Sequence, residues 1–328
     1  MRRAFLLIVI IGIVMAIAVR EIGLHRKIPL ETAYVGTRGA TVWNSTAEVR
    51  GSVAKLPYGQ PVQIFQRDGS HVLINAVPAI HGWVRSKDLL SPALWQAALQ
   101  LDKTTKNMEV QARGHTYVRS NLHMRPGLQW EVISTAPGGT PVDVFERKPV
   151  ENIESQLHRS AASAPNIDDW WLVRASVKNA GSISGWLLAR FVKLDLPEPL
   201  PRYQSSEDIT IVAWFEINRA VDSTGAVMPE YLVMGTRDGE GRPCDFSLIR
   251  VYTWSPVRHH YATAFVERGL CGSLPVETTP AATPGGAAYF SFANIGLNGR
   301  ENREYEMKLT SVRRIDAGAN AARKGKRR

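Results

Sequence analysis

Cysteine is nearly absent from this chain. Its 328 residues hold two, Cys244 and Cys271, too few for a disulfide-framed mini-protein and without the Cys-x-x-Cys spacing of a zinc or redox site. Beyond residue 19 there is no long apolar run, which excludes a multi-span membrane protein. No nucleophile elbow, phosphate-cradling glycine loop or dinucleotide fingerprint occurs. The eight histidines are scattered without His-x-x-x-His spacing, and the adjacent pair His259-His260 on a strand would point to opposite faces, so no metal and no cofactor is expected. Cys271 follows a strand in Gly269-Leu270-Cys271-Gly272, with no helix N-terminus to lower its pKa, and is not read as a nucleophile. Asp168, Asp169 and Glu301 read as solvated loop carboxylates. The expectation is a protein that is not an enzyme. Excess charge is also scarce: of the formal net +10, Arg2, Arg3 and the five cations of residues 323–328 carry seven, leaving +3 for the body. So small an excess gives the folded body no electrostatic hold on a polyanion, and nucleic-acid binding is not expected.

What is present begins with Met1-Arg2-Arg3 and the unbroken apolar run Ala4 to Val19, the pattern of an export signal. Two readings of residues 1–24 stay open, a single-pass anchor and a signal peptide cut after Ala16-Ile17-Ala18. The run's richness in Ile and Val and the lack of a polar stretch before the cut favour the anchor. Either one predicts an exported body, on the periplasmic side of the inner membrane, with the membrane as a partner if the helix stays uncleaved.

The middle of the chain repeats itself. Shifted by 80 residues, Leu56 to Arg67 overlies Ala136 to Arg147 with six of twelve positions identical, in the frame Pro-x-Gly-x-Pro-Val-x-(Ile or Val)-Phe-x-Arg. That frame is a turn followed by a strand with alternating apolar residues. Both units close on a Gly-Trp pair, Gly82-Trp83 and Gly185-Trp186, and the second unit carries 23 extra residues between frame and close, read as a polar loop over 151–169 ahead of a strand from Trp170 to Ala175. Asn121-Leu122-His123-Met124-Arg125-Pro126-Gly127 opens the second unit, and Thr41 to Gly51 is a degenerate counterpart in the first.

These residues resemble the bacterial SH3-like (SH3b) domains, whose pattern runs from an Asn-Val-Arg-type opening through a Gly-containing turn and Val-rich strand to Gly-Trp-Val. The resemblance covers about residues 33 to 90 and 116 to 194. It implies two small, bent β-barrels that bind peptides, peptidoglycan or partner proteins without catalysis. In that setting Trp43 and Tyr58 of the first unit and Trp130 and Trp170 of the second are the candidate ligand-binding residues, while Phe65, Trp83, Phe145 and Trp186 occupy the alternating strand frame and are expected in the core.

The fold class expected is therefore mainly β: barrels over 31–90 and 116–196 joined by a helix within 91–115, a linker at 197–206, a sandwich-like antiparallel domain over 207–316 and a basic tail at 317–328. Ser91 at the N-cap and Pro92 at the first helical position start the helix. Pro197, Pro199 and Pro201 predict a stiff extended linker. Strands are read at Ile209 to Ile217, Tyr231 to Gly235, Phe246 to Trp254, Tyr261 to Glu267, Ala288 to Ala293 and Tyr305 to Arg313. Cys244 and Cys271 lie almost symmetrically about Val257, the centre of a hairpin, and in an oxidising compartment that placement predicts a disulfide. Two functions remain open: an envelope protein whose barrels bind peptidoglycan or a peptide, and an assembly factor whose C-terminal domain binds another envelope protein.

Overall fold

The computed structural model describes residues 28–152, 166–177, 181–297 and 299–315. The apolar run, the basic tail and most of the 151–169 loop lie outside them. Among the described residues no helix is long and apolar enough to cross a membrane.

The chain is mainly β, as its alternating patterns predict, and folds into three seven-stranded antiparallel sheets. The first contains β1 (Glu31–Val35), β2 (Ala40–Trp43), β3 (Ser52–Leu56), β4 (Pro61–Asp68), β5 (His71–Ala76), β6 (Ile80–Arg85) and β7 (Leu89–Leu90), ordered β3-β2-β6-β5-β4-β1-β7. After helix α1 (Pro92–Thr105), the second contains β8 (Ala112–Thr116), β9 (Ser120–His123), β10 (Val132–Ala136), β11 (Pro141–Glu151), β12 (Ile167–Val177), β13 (Gly181–Leu188) and β14 (Val192–Leu194). Its order, β10-β9-β13-β12-β11-β8-β14, is the first order over again. Both sheets carry a β-bulge at the same place in the repeated frame, between Ile64 and Gln66 and between Val144 and Glu146, and bulges bend a strand and increase its twist. The glycine of each Gly-Trp pair allows a close strand approach: a Cβ on Gly82 would lie 2.5 Å from the Trp43 carbonyl oxygen. Among the described residues the sheets do not close into the expected barrels, because β3 pairs only with β2 and β7 only with β1 in the first, and β10 only with β9 and β14 only with β8 in the second, leaving the edges open.

Two compact units divide the chain, residues 1–96 and 97–328. The first sheet encloses its own core of Val35, Val42, Leu56, Ile74 and Val84. Ser91 caps α1 as its chemistry predicts, its hydroxyl accepting the Leu94 N–H at 3.2 Å.

The third sheet is a simple meander of β15 (Thr210–Val221), β16 (Val227–Thr236), β17 (Phe246–Ser255), β18 (His260–Thr279), β19 (Ala287–Gly296), β20 (Gly299–Lys308) and β21 (Ser311–Ile315). It is one seven-stranded sheet rather than a sandwich of two. Its inner face packs Phe215, Phe246, Phe290, Phe292 and Tyr305, and its other face packs Tyr231, Val233, Leu248 and Tyr252. The predicted linker is instead helix α2 (Leu200–Glu207), whose Leu200 is fully buried against that second face. Three prolines tolerate this because they precede the helix or sit in its first turn. The Tyr261–Glu267 strand proves far longer, reaching Thr279, and the single strand expected at Tyr305–Arg313 is two, β20 and β21, joined at the turn before Ser311.

Candidate functional site

The second and third sheets meet in a buried charge cluster. Arg147, the last residue of the repeated frame, has a side chain 1% exposed. Its guanidinium lies 2.5 Å from Asp169 and 2.9 Å from Asp245, and it also donates to the Arg242 carbonyl at 2.9 Å. Arg242 reaches Asp169 at 3.3 Å, so two cations face two anions. Burial, with the like charge of Arg147 beside it, pushes the Arg242 pKa down. Asp245 also accepts the Leu274 N–H at 2.7 Å. Nearby, the fully buried Gln111 accepts the Val276 N–H at 2.7 Å and donates to the Val276 carbonyl at 3.2 Å.

The sequence reading of Asp168 and Asp169 as surface carboxylates is thus wrong: both are buried on β12, Asp168 paired with Arg190 at 2.7 Å. Glu301 lies on β20, bonded to Arg303 and Asn294. Neither sequence spacing nor composition shows these partners, since Arg147 and Asp245 stand 98 residues apart. Cys244 and Cys271 form the expected disulfide, with Cα atoms 4.9 Å apart, where β17 and β18 pair Phe246 with Gly272. A Cβ on Gly272 would fall 2.1 Å from the Phe246 ring, so only glycine admits that ring. The disulfide adjoins the charge cluster, which places the pairing in a structural role.

The four aromatic candidates end up in different surroundings and form no common platform. Trp43 is half-buried under the Arg50 guanidinium at 4.7 Å. Tyr58 sits edge-on to Trp95, which stacks on Tyr34 at 5.2 Å. Trp130 lies half-buried beneath Arg125 at 4.5 Å. Trp170 is 1% exposed, packed against Phe145, Leu172 and Trp186, and is therefore core. In the second sheet Trp186 and Phe145 are buried as predicted, but their first-sheet counterparts Trp83 and Phe65 are only half-buried.

Strand register explains that difference. In the first sheet Leu73 pairs with Trp83 and Trp83 with Trp43, a row of apolar side chains across the outer face. The corresponding row in the second sheet is Leu172, Trp186 and His123, and there Leu101, Met108 and Val110, from the segment preceding β8, pack over it. Burial lowers the His123 pKa, and its Nδ1 donates to the Trp130 carbonyl at 2.8 Å.

The next row is more informative still. Across β1, β4, β5 and β6 the paired residues are Thr32, Gln63, Asn75 and His81, four exposed side chains that carry hydroxyl, amide and imidazole groups. At the same register the second sheet has Arg113, Asp143, Arg174 and Ser184. These are already satisfied: Asp143 lies 3.7 Å from Arg113 and 3.5 Å from Arg174, while Ser184 donates to Asp102 of α1 at 3.0 Å and shares a 2.7 Å hydrogen bond with Thr105.

In the first sheet the row lines a groove of about 670 Å³ bordered by Pro61 and by the turn at Val77 and Pro78. Gln60 holds that turn, donating its side-chain amide to the Val77 carbonyl at 2.9 Å. His81 Nδ1 and Asn75 Oδ1 are hydrogen-bonded, which ties two members of the row together. Sequence reasoning missed all four residues. Each alternates outward from a buried neighbour and so reads as ordinary solvated strand; only the register across four strands lines them up. The chain matches no protein-family model, and no curated protein matches it either.

Proposed function

We propose that this chain is a non-catalytic binding protein of the cell envelope, built on two SH3-like units, in which the first unit binds peptidoglycan or a peptide and the second serves as a scaffold. On this reading the body is exported and the N-terminal apolar run holds it at the membrane. The observation that carries the reading is the asymmetry of one face in two copies. In the second sheet that face is roofed by Leu101, Met108 and Val110 and neutralised by its own ion pairs. In the first it holds a groove with exposed amide and hydroxyl groups beside the half-buried Trp83, the mixture of apolar lining and few polar groups that suits ligand pockets.

Co-sedimentation with purified peptidoglycan tests the reading. The full chain is expected in the pellet, and a chain lacking residues 28–90 in the supernatant. Absence of sedimentation, together with capture of a single partner protein through residues 207–316, would overturn it in favour of an assembly factor.

A further inference from the structure

We propose that the groove over Thr32, Gln63, Asn75 and His81 is a binding site for an uncharged glycan strand bearing hydroxyl and acetamido groups. The proposal rests on the envelope-binding reading and names the component of the envelope that the site takes. Three observations converge. The row presents no formal carboxylate, ammonium or guanidinium group, although its counterpart in the second sheet has three charged residues in four; a charged ligand would find no countercharge there. The side chains can both donate and accept, as a sugar hydroxyl and an acetamido group also do. Beside the polar row, two residues along β5 and β6 from Asn75 and His81, stand the paired, half-buried Leu73 and Trp83. A pyranose ring presents axial C–H groups to apolar and aromatic side chains and equatorial hydroxyls to polar ones, so a polar row beside an aromatic row suits it.

The architecture also supports a built site rather than a chance concavity. The Gln60 side chain fixes the Val77 turn, and the His81 to Asn75 hydrogen bond sets the imidazole in the row. These are bonds within the first unit, so the groove is formed before any ligand arrives, which limits the ordering cost of binding.

The test is titration of the full chain with chitotetraose, followed by tryptophan fluorescence and by calorimetry. Saturable binding is expected, weakened about fivefold by Asn75→Ala and about fivefold by His81→Ala, one ordinary hydrogen bond each. Arg113→Ala, at the matching position of the second sheet, should leave the affinity unchanged. Both groove variants alter exposed side chains, and unchanged thermal melts would exclude misfolding. Peptidoglycan co-sedimentation without chitotetraose binding would overturn the glycan assignment while leaving the envelope reading intact. Binding that both groove variants retain at full affinity would overturn the location. Loss of both chitotetraose and peptidoglycan binding in the parent chain would overturn both readings.

Discussion

Arg67 and Arg147 hold the same position in a repeated twelve-residue frame, yet the Arg67 side chain is 56% exposed and pairs with Glu31, whereas Arg147 is 1% exposed and bridges Asp169 and Asp245. The outer faces differ in the same sense. Trp186 is covered and Trp83 half-open; Asp143 is gripped by two arginines, while its counterpart Gln63 stands free at a groove. One duplicated motif has therefore been turned to two ends, as a joint in the second sheet and as an open face in the first. The motif itself fixes strand and bulge. What covers it fixes its role.

Removing the arginine in each copy is the sharpest way to break this comparison. Arg147→Ala leaves Asp169 and Asp245 buried without their shared cation and should cost about 3–5 kcal/mol in denaturant unfolding. Arg67→Ala removes an exposed pair and should cost under about 1 kcal/mol. Equal losses would mean that the two sites are energetically alike. The tryptophans follow: Trp186→Ala should cost about 3–5 kcal/mol and half-buried Trp83→Ala about 1–2 kcal/mol, since the cavity and transfer terms scale with what is covered.

Reduction of the Cys244–Cys271 disulfide should come next. Its residues are 27 apart in sequence, and the chain-entropy account gives about 3–4 kcal/mol. Because Arg147 bonds to Asp245, the neighbour of Cys244, hydrogen exchange should show residues 111–194 losing protection together with the third sheet, while residues 31–90 keep theirs. Loss confined to residues 244–271 would argue against a joint.

A pH-dependent effect concerns Glu230, whose pKa burial raises to about 7 despite the Trp254 N–H that bonds it. A carboxyl that resists ionisation in the fold binds more protons there than in the unfolded chain between about pH 4.5 and 7, so stability falls across that window as pH rises. Glu230→Gln should flatten the fall and add up to about 3 kcal/mol at pH 8, with little change at pH 4. Unfolding midpoints measured at both pH values check it.

Much of this was legible in residues alone. Alternation located the strands of both repeats, Ser91-Pro92 marked the start of α1, and the symmetric placement of two cysteines anticipated their bond, because each depends on local conformation or on a hairpin with near neighbours. The failures share a different cause. Asp168 and Asp169 read as solvated loop carboxylates and Trp170 as a candidate ligand-binding residue because they follow a polar, Ser-rich stretch, and nothing in that stretch reports the partners that close over β12. The prolines of residues 197–201 predicted an extended link, but burial of Leu200 against the third sheet makes a helix the better solution there. The groove row was invisible for the reason that makes it a row: four separate strands each contribute one residue.

Strand period, turn chemistry, capping and the repeat were thus determined by the sequence itself, since these arise from steric and hydrogen-bonding preferences within a few residues. Which of two equivalent arginines is buried, which tryptophan is roofed and which polar row stays exposed were decided by the tertiary structure. Desolvation and pairing energies depend on what lies across a gap, and the groups that meet there stand as much as 98 residues apart in the chain.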